Sequence, residues 1–341
     1  AVNDGLRVLD SFDPWNDEIA AFLARGVTTV ALSPGRNNVA GGQISLIKLL
    51  HGGVPLRVLS RAAAAKASLA PNLNLARYPT AHSGASEAFG SWLKSRFGKA
   101  SKRPRVPVVA YFETITQAER AFNLAREHGV PIAFLEGVGT DGGIFGRLPS
   151  GSRAILGPYS IEEPERVLRA PAILEEKGIP FSWATGGSLV DPLSSVALAI
   201  MYGLSEAEGL RSLTTHPAEL YGVAERIGKV EQGADADLVV WDGNPLTLTA
   251  AVNLVFIDGE LAFENGQAIK APVKLSARPE AAPSPSVPTQ SPRGESPVAL
   301  ERSVDSTVLV RARKVYTVSG EALEPGQILI RSGKIVQLGK R

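Results

Sequence analysis

The stretch LTTHPAELYGVAERIGKVEQGADADLVVWDGNPLTLTAAVNLVFIDGELAFEN, residues 213–265, decides how the rest of the chain is read. It opens on a Thr-x-x-Pro-Ala helix and passes through Gly228-Lys-Val-Glu-Gln-Gly-Ala-Asp-Ala-Asp-Leu-Val-Val240 as a turn feeding a strand. It ends on Val255-Phe-Ile-Asp-Gly-Glu260 as a hairpin. From Ala236 onward the rhythm is short strands with turn dipeptides, and Asp242-Gly243, Asp258-Gly259 and Asn265-Gly266 are hairpin signals because both positions tolerate positive φ. A small β module therefore stands at 236–274.

Upstream, short apolar runs alternate with amphipathic helices. Ile19, Ala20, Phe22 and Leu23 recur at helical spacing between Asp13 and Arg25, and Gly26 stops that helix before the strand Val27–Leu32. Val106–Glu113 reads as a strand, Thr116–His128 as a helix and Val130–Glu136 as the next strand. Ala154–Tyr159, a helix through Lys177, and Ile179–Ala184 continue the series, and Val54–Leu59 reads as a further strand. The alternation predicts a parallel sheet with crossover helices. An open doubly wound sheet and a closed barrel share that rhythm, so periodicity alone leaves both.

Composition sets the class. Among 341 residues, 44% are hydrophobic and 21% charged, an ordinary globular balance, and 36 Lys and Arg against 34 Asp and Glu leave a formal charge of +2. Such a charge offers no global field for nucleic acid or an anionic membrane, and neither partner is expected. With no Cys, disulfides, thiolate metal sites and a thiol nucleophile are excluded. No run of about 18 apolar residues occurs, and the first residues lack a basic stretch followed by an apolar core.

In their order, the three motifs of 213–265 resemble the end of metal-dependent amidohydrolases, and the chain is similar to imidazolonepropionase-like members of that superfamily. The resemblance implies an α/β fold: a TIM-like (β/α)8 barrel over 1–235, here lacking its first strand, with terminal strands of a small β-sandwich at 236–274. Residues 275–305, rich in Pro, Ser and Ala, read as an extended linker. Residues 306–341 resemble the strands that open an amidohydrolase. They stand at the other end of the barrel here, as the start of a second unit in a tandem protein or as a permuted part of the same domain; the tandem arrangement is the expected one. A barrel without its first strand exposes two edges, so a tandem domain or an oligomer partner is expected. By the same resemblance the protein is expected to be exported or periplasmic.

The resemblance also implies where chemistry would sit. The family hydrolyses non-peptide C–N bonds, of cyclic amide or imine type, with water on a divalent metal, zinc or iron, at the C-terminal ends of the barrel strands. Here the positions of the family's ligands fall on Tyr111, Glu113, Gly137 and Gly186, and no metal is expected for this chain. His51, His82, His128 and His216 read as loop or helix-terminal residues, since none follows a strand or pairs at metal spacing. Tyr111, Glu113, Glu136 and Asp141 are the candidates at the barrel mouth. The three carboxylates would hold a hard cation or act as acid and base if they converge, and otherwise form a polar rim.

Arg36, Asn38 and Trp183 are the candidate ligand-binding residues, the first two in the Gly-rich loop Ser33–Gln43, which lacks the Lys-Ser/Thr of a phosphate loop. The basic run Lys94, Arg96, Lys99, Lys102, Arg103 and Arg105 reads as a solvated loop. No Ser sits in a nucleophile elbow, so no triad is assigned. The expected function is an amidohydrolase-family barrel that has lost its metal ligands and binds a small molecule or braces a neighbouring domain.

Overall fold

The computed structural model describes residues 2–52, 56–70, 79–99, 101, 105–135, 145, 147–185, 192–247, 249–269, 299–302 and 307–340. Its first sheet runs in sequence order from β1 (Thr29–Leu32) through β2 (Ala40–Lys48), β3 (Val58–Ser68), β4 (Val108–Tyr111), β5 (Ile132–Leu135) and β6 (Arg153–Leu156) to β7 (Phe181–Trp183). Around it lie α1 (Glu18–Leu23), α2 (His82–Phe97), α3 (Ile115–Glu127), α4 (Glu165–Leu168), α5 (Ala170–Glu176), α6 (Pro192–Met201), α7 (Glu206–Leu213) and α8 (Thr215–Leu220). From β3 to β7 every pair is parallel, as the alternation predicts.

The first three strands differ: β1 pairs antiparallel with β2, and β2 with β3. Their connections are too short for a crossover helix, which leaves only the antiparallel return. The predicted loop Ser33–Gln43 is correspondingly shorter, because β2 already begins at Ala40. The predicted helix from Asp13 is also shorter. Asp13 and Asn16 side chains accept the backbone N–H groups of Trp15 and Glu18, each at 2.9 Å, and hold the chain in turns until α1 starts.

Side chains of the sheet sort by the pleat. Val108, Ala110 and Phe112 join Ile132, Phe134, Ala154, Leu156 and Phe181 in one core, closed by Phe89, Trp92 and Leu93 of α2 and Ala118, Ala121 and Ala125 of α3. The alternate positions Ile44, Ala64, Val109, Ala133 and Ile155 converge on a second, smaller cluster with Leu220 of α8, and Ala31 and Ala184 pack against it from opposite ends of the sheet. Residues from both ends of a seven-strand sheet meet in one cluster only if the sheet curls, so this is the inside of a partial TIM barrel. Among the described residues β1 and β7 do not pair, and the barrel is open.

α3 has a capping box. Thr114 Oγ1 accepts from Gln117 N at 3.3 Å, and Gln117 Oε1 accepts from the backbone N–H groups of Thr114 at 3.1 Å and Glu113 at 2.8 Å. Thr114→Ala will cost about 1 kcal/mol in chemical denaturation; a change under about 0.3 kcal/mol would show that the strand–helix junction does not depend on the cap. The basic run before β4 is not a solvated loop throughout. Lys94 and Arg96 lie in the last turn of α2, and Arg96 is buried with its guanidinium 5.3 Å from the Phe97 ring centroid. Arg105 ties α2 to the end of α3 through the carbonyls of Phe97 at 3.3 Å and His128 at 2.9 Å. Lys102 and Arg103 lie outside the described residues.

The β module consists of two sheets: β8 (Leu238–Trp241), β9 (Val252–Ile257), β10 (Glu260–Glu264) and β11 (Gln267–Ala268) in one, β12 (Ala299–Arg302), β13 (Thr307–Ala312), β14 (Gly326–Arg331) and β15 (Lys334–Lys340) in the other. Asp258-Gly259 and Asn265-Gly266 make the expected turns, with φ of 51° and 74° at the first and 46° and 90° at the second. Asp242-Gly243 does not: β9 starts only at Val252, and Asp242 instead caps the intervening loop by accepting from Ala251 N at 2.8 Å. β12 lies inside the segment expected to be a linker and pairs antiparallel with β13.

The two sheets share a core in which Leu238, Val240, Leu254 and Phe256 face Val310, Ile328, Ile330 and Ile335. Residues 307–340 thus pack on the strands that follow the barrel. Gly259, at positive φ, is a point of close approach between the sheets, since a Cβ there would fall 2.8 Å from Ile330 Cγ2.

Lys48, at the end of β2, joins barrel and module. Its ammonium is buried and meets Asp235 at 2.7 Å, Asp237 at 2.9 Å, and Asp258. Asp235 also takes Arg226 at 2.8 Å and Lys334, and Asp258 takes Arg57 at 3.0 Å. Burial works against the charge of Lys48, but Asp237 and the hydrogen bonds to the three carboxylates hold it above its ordinary value. Burial likewise pushes Asp235 up, yet the bonds from Lys334, Lys48 and Arg226 outweigh it and hold the acid down at about 2. For Asp237 burial wins, and its carboxyl lies above the usual range.

Candidate functional site

The parallel strands β3 to β7 end at one mouth, where a barrel places its chemistry. Tyr111 is the last residue of β4, and the pleat turns it to the inside, level with Val109 and opposite Ala110 and Phe112 in the outer core. Its side chain is buried. From the loop between β1 and β2, Arg36 donates through Nη1 to the Tyr111 hydroxyl, with its guanidinium 4.8 Å from the ring centroid. Tyr111 in turn donates to Glu113 Oε1 at 3.2 Å. Guanidinium, phenol and carboxylate form one chain across the mouth.

Burial pushes the Tyr111 phenol up; Arg36 opposes this and Glu113 reinforces it, so the hydroxyl stays neutral. Glu113 itself is exposed, its backbone anchored by Gln117. Asn38 is half-buried and is not among the residues lining the cleft. Trp183 does line it, but the indole Nε1 is occupied, donating to Ser212 Oγ at 2.9 Å, and the ring packs edge-on against Tyr159 with centroids 5.3 Å apart. Trp183 is a wall, with no free donor for a ligand. Glu136, Gly137, Asp141 and Gly186 lie outside the described residues.

Two site residues carry no motif. Lys66, two residues before the end of β3, shares the inner face with Ala64 and pairs with Val109 of β4. It is 2% exposed, lines the cleft, and meets no acceptor among the described residues; burial pulls its ammonium down to about 8. Tyr221, just after α8, lines the same cleft, and burial pushes its phenol up. The sequence signal for Lys66 was a lone lysine in Ala62-Ala-Ala-Ala-Lys-Ala67, a run whose helix propensity hides a strand. The cleft itself is open, about 1820 Å³, and continues from the mouth towards the β module.

The four histidines are elsewhere. His51 is buried near Asp17 at 3.8 Å, His82 begins α2, His128 caps α3, and His216 in α8 places Nδ1 3.2 Å from the Phe181 carbonyl and 3.5 Å from Glu208. Among the described residues no three of His, Asp and Glu come together in a way that holds a metal. The donors actually present at the end of β4 fit a divalent metal poorly. A cationic Arg36 already occupies the phenol, and a cation at Glu113 would sit beside that guanidinium.

The family model described as the amidohydrolase family matches residues 80–262, more than half of the chain and from α2 through most of β10. The chain belongs to the amidohydrolase family. Within it the protein is imidazolonepropionase-like. It is 28% identical over 165 residues to the imidazolonepropionase of Photorhabdus laumondii subsp. laumondii, covering 45% of this chain and 39% of that protein. With the imidazolonepropionase of Chromobacterium violaceum it shares 24% over 280 residues, 69% of this chain and 64% of the other. Amidohydrolase tasK of Hapsidospora irregularis is 34% identical over 148 residues, 41% of this chain and 14% of that protein.

The chain therefore spans less than two thirds of each of these relatives. A crystal structure of an amidohydrolase from Thermotoga maritima MSB8 superposes with a TM-score of 0.66 at 23% identity, covering 77% of this chain and 79% of that one, a likeness of fold. Among the described residues of this amidohydrolase-family chain, no helix is long and apolar enough to cross a membrane.

Proposed function

We propose that the barrel of this chain binds a small carboxylate-bearing molecule at the ends of its strands, where the family's hydrolases work through a divalent metal. The observation that carries this reading is Arg36 hydrogen-bonded to Tyr111 at the mouth. Guanidinium has five N–H donors in a planar fork, and one of them goes to Tyr111, so others remain for a carboxylate. Lys66 adds a second positive group on the same face. Gly137 and Gly186 offer no side-chain donor at the other positions that the family resemblance marks for ligands. Among the described residues the outer edges of β1 and β7 are unpaired, which supports a bracing role towards a second barrel or another copy.

Membership of the family favours a second reading, hydrolysis of a C–N bond by metal-bound water. Two measurements on the purified chain separate them. Metal analysis is expected to find zinc and iron far below one per chain, and calorimetric titration with propionate to show binding. That binding should weaken by about tenfold or more in Arg36→Met, the loss of a hydrogen bond to a charged group. Stoichiometric zinc or iron that Glu113→Gln releases would overturn the proposal in favour of hydrolysis.

A further inference from the structure

We infer that Lys66 is a reactive amine that captures the carbonyl carbon of a small oxo acid as an imine, with Arg36 holding the acid's carboxylate. The contrast with Lys48 is the starting point. Both lysines are buried, at 4% and 2% exposure, but Lys48 is surrounded by three carboxylates whereas Lys66 meets no acceptor among the described residues and faces a cleft. Burying an ammonium without a partner is costly, and the fold gains nothing from it that a methionine would not supply. Among the described residues Tyr111 shares its face and Arg36 approaches from the loop, and neither is an anion that would keep the amine protonated. Burial leaves about half of it as free amine near pH 8, where an ordinary lysine is almost wholly protonated.

Spacing favours an oxo acid over a longer compound. Lys66 pairs with Val109, so it is a diagonal neighbour of Tyr111 on the same face, roughly 8 Å away along the backbone. Lys66 and Arg36 line the same cleft, which has room for a small molecule with adjacent carbonyl and carboxyl carbons. In the reaction the amine lone pair attacks the carbonyl carbon and the C=O π pair moves to oxygen. The nitrogen loses two protons to that oxygen, the C–O bond breaks as water leaves, and the C=N bond forms. Amine and carbonyl give imine and water, with no oxidant or reductant.

The carboxylate half of this inference rests on the anion site proposed above, and the amine half does not. Pyruvate with cyanoborohydride at pH 8, followed by peptide mapping of the full chain, is expected to place the reduced adduct on Lys66 at least about tenfold faster than on exposed lysines, as the excess of free amine requires. Arg36→Met should slow trapping of pyruvate far more than trapping of propanal. Lys66→Met, checked for an unchanged thermal transition, should lose both. Labelling of exposed lysines with Lys66 unmodified by either reagent overturns the inference, and propanal capture without pyruvate capture overturns the oxo acid. If Lys66 traps propanal while propionate does not bind, the amine is upheld and the anion site falls.

Discussion

Replacing Lys48 by methionine will destabilise the protein by about 3–5 kcal/mol at neutral pH, the usual cost of removing one partner from a buried ion cluster. Asp235 keeps Arg226 and Lys334, and Asp258 keeps Arg57, but Asp237 loses its cation altogether. The loss should therefore shrink on acidification. Burial already holds the Asp237 carboxyl above its usual range, and without Lys48 it will take a proton at still higher pH and shed the uncompensated charge.

The wild-type protein should show the opposite trend through Asp235. A carboxyl depressed to about 2 contributes stability that is complete above the unfolded value near 3.8 and is lost as pH falls from there towards 2. Lys48, raised above 10.5, contributes below that value and is lost only as pH climbs through its folded one. Urea unfolding of both proteins at about pH 7 and pH 5, and of the wild type also at about pH 3, checks this. A loss below about 1 kcal/mol at pH 7 would mean that the cluster is not what joins barrel to module.

Phe112→Ala should cost about as much, 3–5 kcal/mol, through the transfer of a large ring and the cavity it leaves. Phe112 is fully buried between Tyr111 and Glu113, edge-on to Phe134 at 5.2 Å and to Phe145 at 6.1 Å. Because it pins the strand end that carries both site residues, the same change should weaken propionate binding although Phe112 faces away from the cleft. Tyr111→Phe is the control. It removes one hydroxyl from the Arg36–Glu113 chain and should alter stability by only about 1 kcal/mol. Equal losses in the two variants would show that the outer core does not hold this strand end.

Much of this architecture was legible. Val106–Glu113 and Ile179–Ala184 are short apolar runs, and both contain strands; Thr116–His128 reads as a helix, and α3 spans Ile115–Glu127; Asp258-Gly259 turns as its φ values require. The site was legible in part. Arg36 and Tyr111 were candidates for separate reasons, a loop and a ligand position, and nothing in a linear sequence says that residues 75 apart share a hydrogen bond. Lys66 escaped because an alanine-rich run carries no strand period, and pairing with β2 and β4 overrides its helix propensity. Asp242-Gly243 misled for the converse reason, since a dipeptide that suits a hairpin also suits a capped loop.

By itself the sequence determined the family and the βα rhythm, because these are properties of local pattern and residue chemistry. Only the tertiary structure decided that the sheet starts as an antiparallel meander, that Arg36 hydrogen-bonds Tyr111 at a strand end, and that one buried lysine is neutralised by three acids while another, among the described residues, faces the cleft without an acid. The physical reason is common to all three. Strand direction, side-chain facing and the state of a buried charge depend on partners distant in sequence, and burial gives those partners their weight.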